Sequence, residues 1–304
     1  MSNSKIPTGP PKPPPRSQRA MPPTAAMAGF GSSGSVALDL SPRTSKRRPP
    51  RIVLNAVEGW GKTTVAAHAE NPVILQMRGE SGYDTLLSAG LVPSVPVIDI
   101  SGFEELVATV DALAAKPEDR RTLTIDAMGG AERLCHERVC LRDYNNDWGE
   151  KGFMGFRRGA ETSVSDWIRL LAALDRANEA GLAILLLSHA KVVTFKNPEG
   201  PDFDRYAADV DTRTWSPTHR WADAVLFGKF VTIVESQKRG NAKAKGIGGT
   251  DRIVYTERRD AYDAKNRYAM DPELWIKPDE VGPADMWNVI AKAMTKNLEV
   301  ADVT

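Results

Sequence analysis

The sequence has little cysteine and no long hydrophobic run. Its 304 residues include two cysteines, Cys135 and Cys140, which are too few for a disulfide framework and agree with a reducing compartment. They also fall short of the four ligands that a structural zinc site needs. No stretch reaches about 18 uncharged apolar residues, so neither a membrane span nor a secretory signal is predicted. We expect a cytoplasmic protein without a membrane partner.

The sequence also has almost no net charge, because 40 Lys and Arg face 39 Asp and Glu. Taken alone, a net charge of +1 argues against a polyanionic partner such as a nucleic acid. The charge is unevenly distributed, however. Residues 1–50 carry eight Lys or Arg and one Asp, a charge of +7, and the remaining residues carry −6. The near-neutral total is a cancellation and excludes no class of partner.

Residues 1–50 lack the aliphatic pattern of a folded domain. They hold 11 of the 21 prolines, including the run PPKPPP at 10–15. Such a composition cannot bury enough apolar surface to offset the entropy lost on ordering. We therefore predict a disordered, basic, proline-rich arm over 1–50, a folded core over 51–278, and an amphipathic helix with a tail over 279–304.

From Arg51 onward, short apolar runs alternate with helical patterns, which is typical of βαβ units around a parallel sheet. Strands are predicted at 51–55, 73–77, 97–100, 122–125 and 182–187. Helices are predicted at 62–69, 83–89, 103–115, from 131 and at 164–180. A long irregular segment follows, and then strands at 224–227, 231–234 and 252–256, the last two antiparallel. The predicted fold class is α/β, with a mainly parallel central sheet flanked by helices and a C-terminal antiparallel β extension.

The most specific motif lies between the first predicted strand and the first predicted helix. Residues 56–64 (AVEGWGKTT) fit the P-loop pattern G-x-x-x-x-G-K-[ST], with Ala56 in place of the first glycine. Backbone N–H groups of such a loop, with a helix N-terminus behind them, surround phosphate oxygens, and glycines permit the close approach. Lys62 then reaches the β- and γ-phosphates, and the Thr63 hydroxyl binds Mg²⁺. The predicted nucleotide-binding residues are Glu58, Gly59, Trp60, Gly61, Lys62, Thr63 and Thr64.

A second acidic position accompanies this loop. Residues 122–126 (TLTID) form an apolar run that ends in Asp126. Parallel strands end at the same edge of a sheet, so this carboxylate is predicted to lie beside the P-loop and to hold Mg²⁺ through its water shell. The alternatives are an ordinary aspartate that caps the next helix and, for the loop itself, a chance match.

Together these motifs resemble the RecA-like P-loop ATPases, most closely the phage-type AAA-family ATP-binding proteins of the single-strand-annealing and recombination group. In RecA-like proteins a glutamate just beyond the strand after the P-loop helix polarises the attacking water, and Glu80 stands there. Asp126 is followed by Ala127 and not by the glutamate of AAA+ enzymes, which favours the RecA arrangement. His189 matches the residue that senses the γ-phosphate, with a structural histidine as the alternative.

The resemblance implies a homo-oligomer that hydrolyses ATP to ADP and phosphate with Mg²⁺, in a host cytoplasm if the protein is phage-encoded. Residues 264–267 (AKNR) look like the K-N-K element that RecA-type filaments insert into the neighbouring subunit's ATP site. Lys265 and Arg267 would then neutralise transition-state charge in trans. The alternative is a solvated basic loop.

RecA-like proteins bind DNA through two loops, which the resemblance places at 143–158 and 192–220. The first interleaves aromatic and basic residues, which suits base stacking and phosphate contact. The second mixes cations with acids, and a third basic element lies at 238–246. We therefore predict single-stranded DNA as the partner, in recombination, annealing or replication. The candidate contacts are Lys151, Phe153, Phe156, Arg157, Arg158, Lys238 and Arg239.

Other hypotheses stay open at this level. The loops could be merely solvated, or ATP could order the loops around Tyr144 and Tyr206 for a protein partner, with slow hydrolysis or none. The segment 284–298 can form a helix with Trp287, Ile290 and Met294 on one face. That face would either dock on the core or contact another subunit.

Overall fold

A computed structural model describes residues 41–42, 48–235, 245–277 and 280–301. The chain divides into two units, Met1–Lys46 and Arg47–Thr304, and every element given below belongs to the second unit. The predicted arm therefore lies almost wholly outside the described residues, and so do the candidate DNA contacts Lys238 and Arg239.

Strands and helices alternate from Arg51 onward. The strands are β1 (Arg51–Ala56), β2 (Pro72–Met77), β3 (Val97–Ile100), β4 (Thr122–Asp126), β5 (Ala183–Phe195), β6 (Phe203–Ala208), β7 (Ala224–Glu235), β8 (Lys245–Tyr255), β9 (Lys265–Asn266) and β10 (Glu273–Ile276). The α-helices are α1 (Lys62–Ala67), α2 (Gly82–Ser88), α3 (Phe103–Ala115), α4 (Met128–Tyr144), α5 (Arg158–Glu179), α6 (Thr212–Trp221) and α7 (Met286–Ala301). Short 3-10 helices occupy Gly155–Arg157 and Pro283–Asp285.

Six parallel strands form the centre of the sheet in the order β7-β1-β5-β4-β2-β3. β8 and β10 continue the sheet antiparallel beyond β7, and β9 pairs antiparallel with the start of β7. This arrangement confirms the predicted fold class. The ends of β1, β2 and β4 and the middle of β5 meet at one side, which we call the carboxyl edge. The starts of β1, β4, β5 and β7 meet at the other side, the amino edge.

Both faces of the central sheet are covered. In β1, Val53 packs against the core shared with α3, α4 and α5, whereas Ile52 and Leu54 pack against the core shared with α1 and α7. β5 alternates in the same way, with Leu186 on the first face and Leu187 on the second. A parallel strand covered on both faces needs an unbroken apolar run, which is why these strands stand out in the sequence.

Helix α7 docks on the core. Trp287, Ile290 and Met294 are buried in the same cluster as α1, which confirms the docking interpretation of this helix. No helix in the described ranges combines the length and the apolar run that crossing a membrane requires.

The segment after residue 187 is more regular than predicted. β5 continues to Phe195 and forms an antiparallel hairpin with β6, and α6 follows. Exposed and half-buried residues alternate along 192–196, so this part of β5 lacks the continuous apolar run that marks the buried strands in the sequence. The predicted irregular segment, and with it a loop spanning 192–220, is therefore wrong.

A glycine explains the second difference in strand assignment. Two strands were predicted at 224–227 and 231–234, whereas β7 runs continuously through Gly228 between them. A Cβ atom at Gly228 would lie 2.7 Å from Cε2 of Trp60. The glycine therefore permits close packing of the P-loop tryptophan on the sheet and does not mark a turn.

Candidate functional site

The P-loop connects the end of β1 to α1 at the carboxyl edge. Gly59 and Gly61 have positive φ angles of 71° and 109°, conformations that favour glycine. The N–H of Val57 donates to the Gly228 carbonyl at 3.1 Å, which ties the loop to the neighbouring strand. Ala56, the departure from the usual motif, is still part of β1 and fully buried. A strand conformation needs no glycine, so this substitution leaves the loop intact.

The P-loop has backbone N–H groups that find no hydrogen-bond acceptor among the described residues. In the part of the chain that the structure describes, no hydrogen bond is made by the N–H groups of Gly59, Gly61, Lys62 and Thr63. The Lys62 ammonium donates to the carbonyls of Ala56 at 3.1 Å and Val57 at 3.2 Å and forms no ion pair within the described ranges. Clustered N–H groups beside a cation that has no ion pair bind anions such as phosphate.

Thr63 and Asp126 meet as predicted. The Thr63 hydroxyl donates to Oδ2 of Asp126 at 2.9 Å, and Asp126 is the last residue of β4. Burial raises the pKa of Asp126, an effect opposed by the Thr63 hydrogen bond and increased by the charge of Glu80. These two oxygen donors fit Mg²⁺, which is held by one or two carboxylates and completes its shell with water and phosphate. The described residues contain no cluster of three or more His, Cys, Asp or Glu that could hold a metal alone.

Glu80 and His189 join the same cleft. A cavity of about 600 Å³ is lined by both residues together with Lys62, Thr63 and Asp126. Glu80 follows β2, and its side chain has no hydrogen bond or ion pair within the described ranges. His189 lies on β5 in register with Ala56 on β1. Burial lowers the pKa of Lys62, while the charges of Asp126, Glu58 and Glu80 act in the opposite direction.

Several cleft residues were not predicted from the sequence. Arg252 on β8 and a group of apolar side chains line the same cavity: Leu86, Leu91, Ile276, Val281 and Met286. The chain offers no motif that would identify them, and Arg252, Ile276, Val281 and Met286 are also distant from the P-loop in sequence. Trp60, predicted as a loop residue of the site, turns its side chain into the core and is fully buried.

The candidate DNA contacts at 151–158 divide into buried and exposed residues. Phe156 is 93% exposed, and Lys151, Arg157 and Arg158 are also exposed, although Arg157 pairs with Asp211. Phe153 is only 3% exposed and packs against the rings of His136, Tyr144 and Trp148. The prediction that Phe153 stacks on a base is wrong for this conformation, because the ring has no free face.

Lys265 and Arg267 are engaged within their own chain. The Lys265 ammonium donates to the carbonyls of His219 at 2.8 Å, Arg220 at 3.1 Å and Ala222 at 2.6 Å, at the end of α6. Arg267 pairs with Asp223 at 3.0 Å. The trans-acting role conflicts with this geometry, since the donors of Lys265 are occupied by carbonyls that a helix end leaves free.

The family of the chain follows from a comparison with known proteins. The family model described as an AAA domain matches residues 48–268, more than half of the chain. This range contains the P-loop, Glu80, Asp126 and His189. No curated protein matches the chain. On the family match and on the P-loop geometry, the chain belongs to the AAA-domain family of P-loop ATPases.

Proposed function

We propose that the protein is a Mg²⁺-dependent ATPase that hydrolyses ATP to ADP and phosphate and acts on single-stranded DNA, as a homo-oligomer, in recombination, annealing or replication. The observation that carries the ATPase part is the content of one cleft. It contains the Thr63–Asp126 pair at 2.9 Å together with Lys62 and Glu80, neither of which forms an ion pair within the described ranges.

Each residue has a distinct role in this proposal. The loop N–H groups and Lys62 bind the phosphates, and Thr63 and Asp126 hold the metal. When bound, Mg²⁺ neutralises charge that develops on the β- and γ-phosphate oxygens. Glu80 orients a water molecule and accepts its proton. His189 contacts the γ-phosphate, and its position on β5 connects the cleft to the β5–β6 hairpin.

A pocket beside Glu80 offers space for the attacking water. A second pocket of about 280 Å³ adjoins the cleft, and both are lined by Glu80 and His189. The pocket also contains Arg78, Arg133 and Asp209. Arg78 forms an ion pair with Glu137, and Arg133 donates to the Arg78 carbonyl, so these cations are held away from Glu80 by partners of their own. The carboxylate therefore faces a polar space in which no described cation pairs with it.

The DNA part is supported by the exposed surface of the segment 145–158. Phe156 is 93% exposed, so its ring is free to stack on a base. Trp148, 41% exposed, and the exposed cations Lys151 and Arg158 lie in the same segment. A cavity of about 660 Å³ separates this segment from the β5–β6 hairpin. Aromatic faces next to cations suit stacked bases and their phosphates.

The test is phosphate release with and without a single-stranded oligonucleotide at increasing salt. We expect DNA to raise the rate, with an affinity that falls steeply as salt increases. Phe156→Ala should weaken DNA binding about tenfold through loss of one stacking contact. Trp275→Ala is the matched control, since Trp275 is an exposed aromatic residue of β10, 47% exposed. Hydrolysis that ignores DNA and salt would contradict the DNA part and leave the ATPase part standing.

The alternative is a nucleotide-switched module for a protein partner. Its two candidate residues already have partners within the chain. The Tyr144 hydroxyl hydrogen-bonds Oγ1 of Thr162 at 3.0 Å, and the Tyr206 ring lies 4.9 Å from that of Phe227. Tight ATP binding without turnover, with or without DNA, would favour this alternative.

A further inference from the structure

Arg252 is a cation of the nucleotide cleft that the P-loop motif does not include. Its Nε donates to the Trp60 carbonyl at 2.7 Å, and its guanidinium carbon lies 5.3 Å from the centre of the Phe230 ring. These two contacts fix the side chain between β8 and the P-loop. Its Nη1 lies 3.5 Å from the Thr250 carbonyl, which is at the limit of a hydrogen bond. The Nη groups thus retain donor capacity at the cleft.

No carboxylate compensates this charge. Within the described ranges Arg252 forms no ion pair, and burial alone lowers its pKa. Arg51, another half-buried arginine, behaves differently, because it pairs with both Asp175 and Asp223. A half-buried cation without a counter-ion is costly unless an anion reaches it. The cleft that Arg252 lines is where such an anion would bind.

The position of Arg252 selects one end of the nucleotide. Glu80 follows β2, and Asp126 and His189 lie on β4 and β5, all on one side of β1. Arg252 reaches the P-loop from β8, beyond β7 on the other side. A γ-phosphate beside Glu80 and Asp126 leaves the nucleoside end of the molecule for the Arg252 side.

The remaining walls of the cleft agree with that orientation. Met286 covers the loop, since a Cβ atom at Gly61 would lie 3.3 Å from its Cε atom. Ile276 and Val281 continue this apolar wall. Apolar side chains with few polar groups are the usual surroundings of a base.

We propose that Arg252 is a nucleotide-binding residue that contacts the α-phosphate in cis, next to a base site formed by the apolar wall of β10 and α7. This inference rests on the proposed ATP-binding function and assigns the orientation of the nucleotide in that site. It also gives the C-terminal segment a part in nucleotide binding.

The experiment measures the affinities of the full-length protein for ATP, ADP and AMP by calorimetric titration. Arg252→Gln keeps an N–H donor for the Trp60 carbonyl but removes the charge. We expect Arg252→Gln to lose affinity about tenfold, by the same factor for ATP and for ADP. AMP should show the same loss where its binding is measurable, because the α-phosphate is common to all three nucleotides. Arg252→Lys keeps the charge and should recover part of the affinity, which a purely structural role of the guanidinium would not produce. Arg259→Gln is the control, since Arg259 pairs with Glu273 on the surface and should not change affinity.

Three outcomes would contradict the proposal. Unchanged affinity in Arg252→Gln would overturn it, and so would a loss for ATP that exceeds the loss for ADP, because the residue would then act at the γ-phosphate. A wild-type protein that binds no nucleotide would overturn the proposed function as well as this inference. Thermal unfolding shows whether each variant is folded. If Arg252→Gln does not fold, the affinities of Arg252→Lys and wild type are compared instead.

Discussion

The two edges of the parallel sheet use the same residue types in opposite ways. At the amino edge, Arg51 pairs with Asp223 at 3.0 Å and Asp175 at 2.9 Å, and Arg267 also pairs with Asp223. At the carboxyl edge, Lys62 and Arg252 donate only to carbonyls, and Glu80 has no partner in the described ranges. Charges that satisfy one another stabilise the fold, whereas charges left without counter-ions are available to a ligand.

The largest expected effect is on turnover at the carboxyl edge. Glu80→Gln should lower the rate of ATP hydrolysis about 1,000-fold while ATP affinity stays within about threefold, because a neutral amide cannot accept the proton of the attacking water. Phosphate release and nucleotide titration on the same preparation measure the two quantities. Normal turnover in this variant would remove Glu80 from the mechanism.

The next largest effect concerns affinity. Lys62→Ala removes the cation that faces the phosphates, so ATP binding should weaken about 100-fold. The Lys62 ammonium has only the carbonyls of Ala56 and Val57 as partners in the described ranges, so stability should fall little. Titration with Mg²⁺ and ATP measures the first quantity and thermal unfolding the second. Undiminished affinity would mean that the loop does not bind phosphate.

At the amino edge the effect should be on stability and not on function. Asp223→Asn should lower the free energy of unfolding by about 2 kcal/mol near neutral pH, since it leaves Arg51 and Arg267 with a weaker partner. Urea unfolding measures this loss, and the ATPase rate at low temperature should be unchanged. A large loss of turnover in a folded Asp223→Asn variant would contradict the separation of the two edges.

The pH dependence of the same variant sharpens this test. Burial on its own would raise the pKa of Asp223, but the hydrogen bonds and charge of Arg51 outweigh it, and the pKa is lowered. A carboxylate whose pKa is lower in the folded state stabilises the protein above its ordinary pKa of about 3.9, and that contribution is lost as the pH falls through the folded-state value. The stability difference between wild type and Asp223→Asn should therefore shrink below about pH 4.

The smallest effect is expected at Lys265. Lys265→Met removes the donor to three carbonyls at the end of α6 and should cost about 1 kcal/mol of stability with no loss of turnover. Urea unfolding and phosphate release test both points. A stable Lys265→Met variant that binds ATP but hydrolyses it far more slowly would restore the role in trans.

The carboxyl edge could be predicted because its residues follow from topology. Lys62, Asp126 and His189 each lie at or just after a buried apolar strand, and parallel order brings such positions together. Arg252 could not be found this way, because it lies within an antiparallel strand distant in sequence, where one arginine gives no pattern. Its role depends on what surrounds it, which only the folded chain shows.

The errors at the amino edge and in the 145–158 segment have one physical cause. A sequence shows which residues are charged or aromatic but not whether their partners are supplied by the chain itself. Lys265 is occupied by carbonyls and Phe153 by three neighbouring rings, so both look free in the sequence and are not free in the fold.

One measurement tests the distinction between the edges most directly: the rise in thermal midpoint that Mg²⁺ and ATP cause in wild type, Lys62→Ala and Asp223→Asn. A ligand at about 100 times its Kd adds about 2.7 kcal/mol to stability. We expect Lys62→Ala to unfold near the wild-type midpoint without ligand and to lose most of the rise, and Asp223→Asn to start lower and keep the full rise. If instead Lys62→Ala keeps the rise, or Asp223→Asn loses it while folded, the assignment of ligand binding to the carboxyl edge is contradicted.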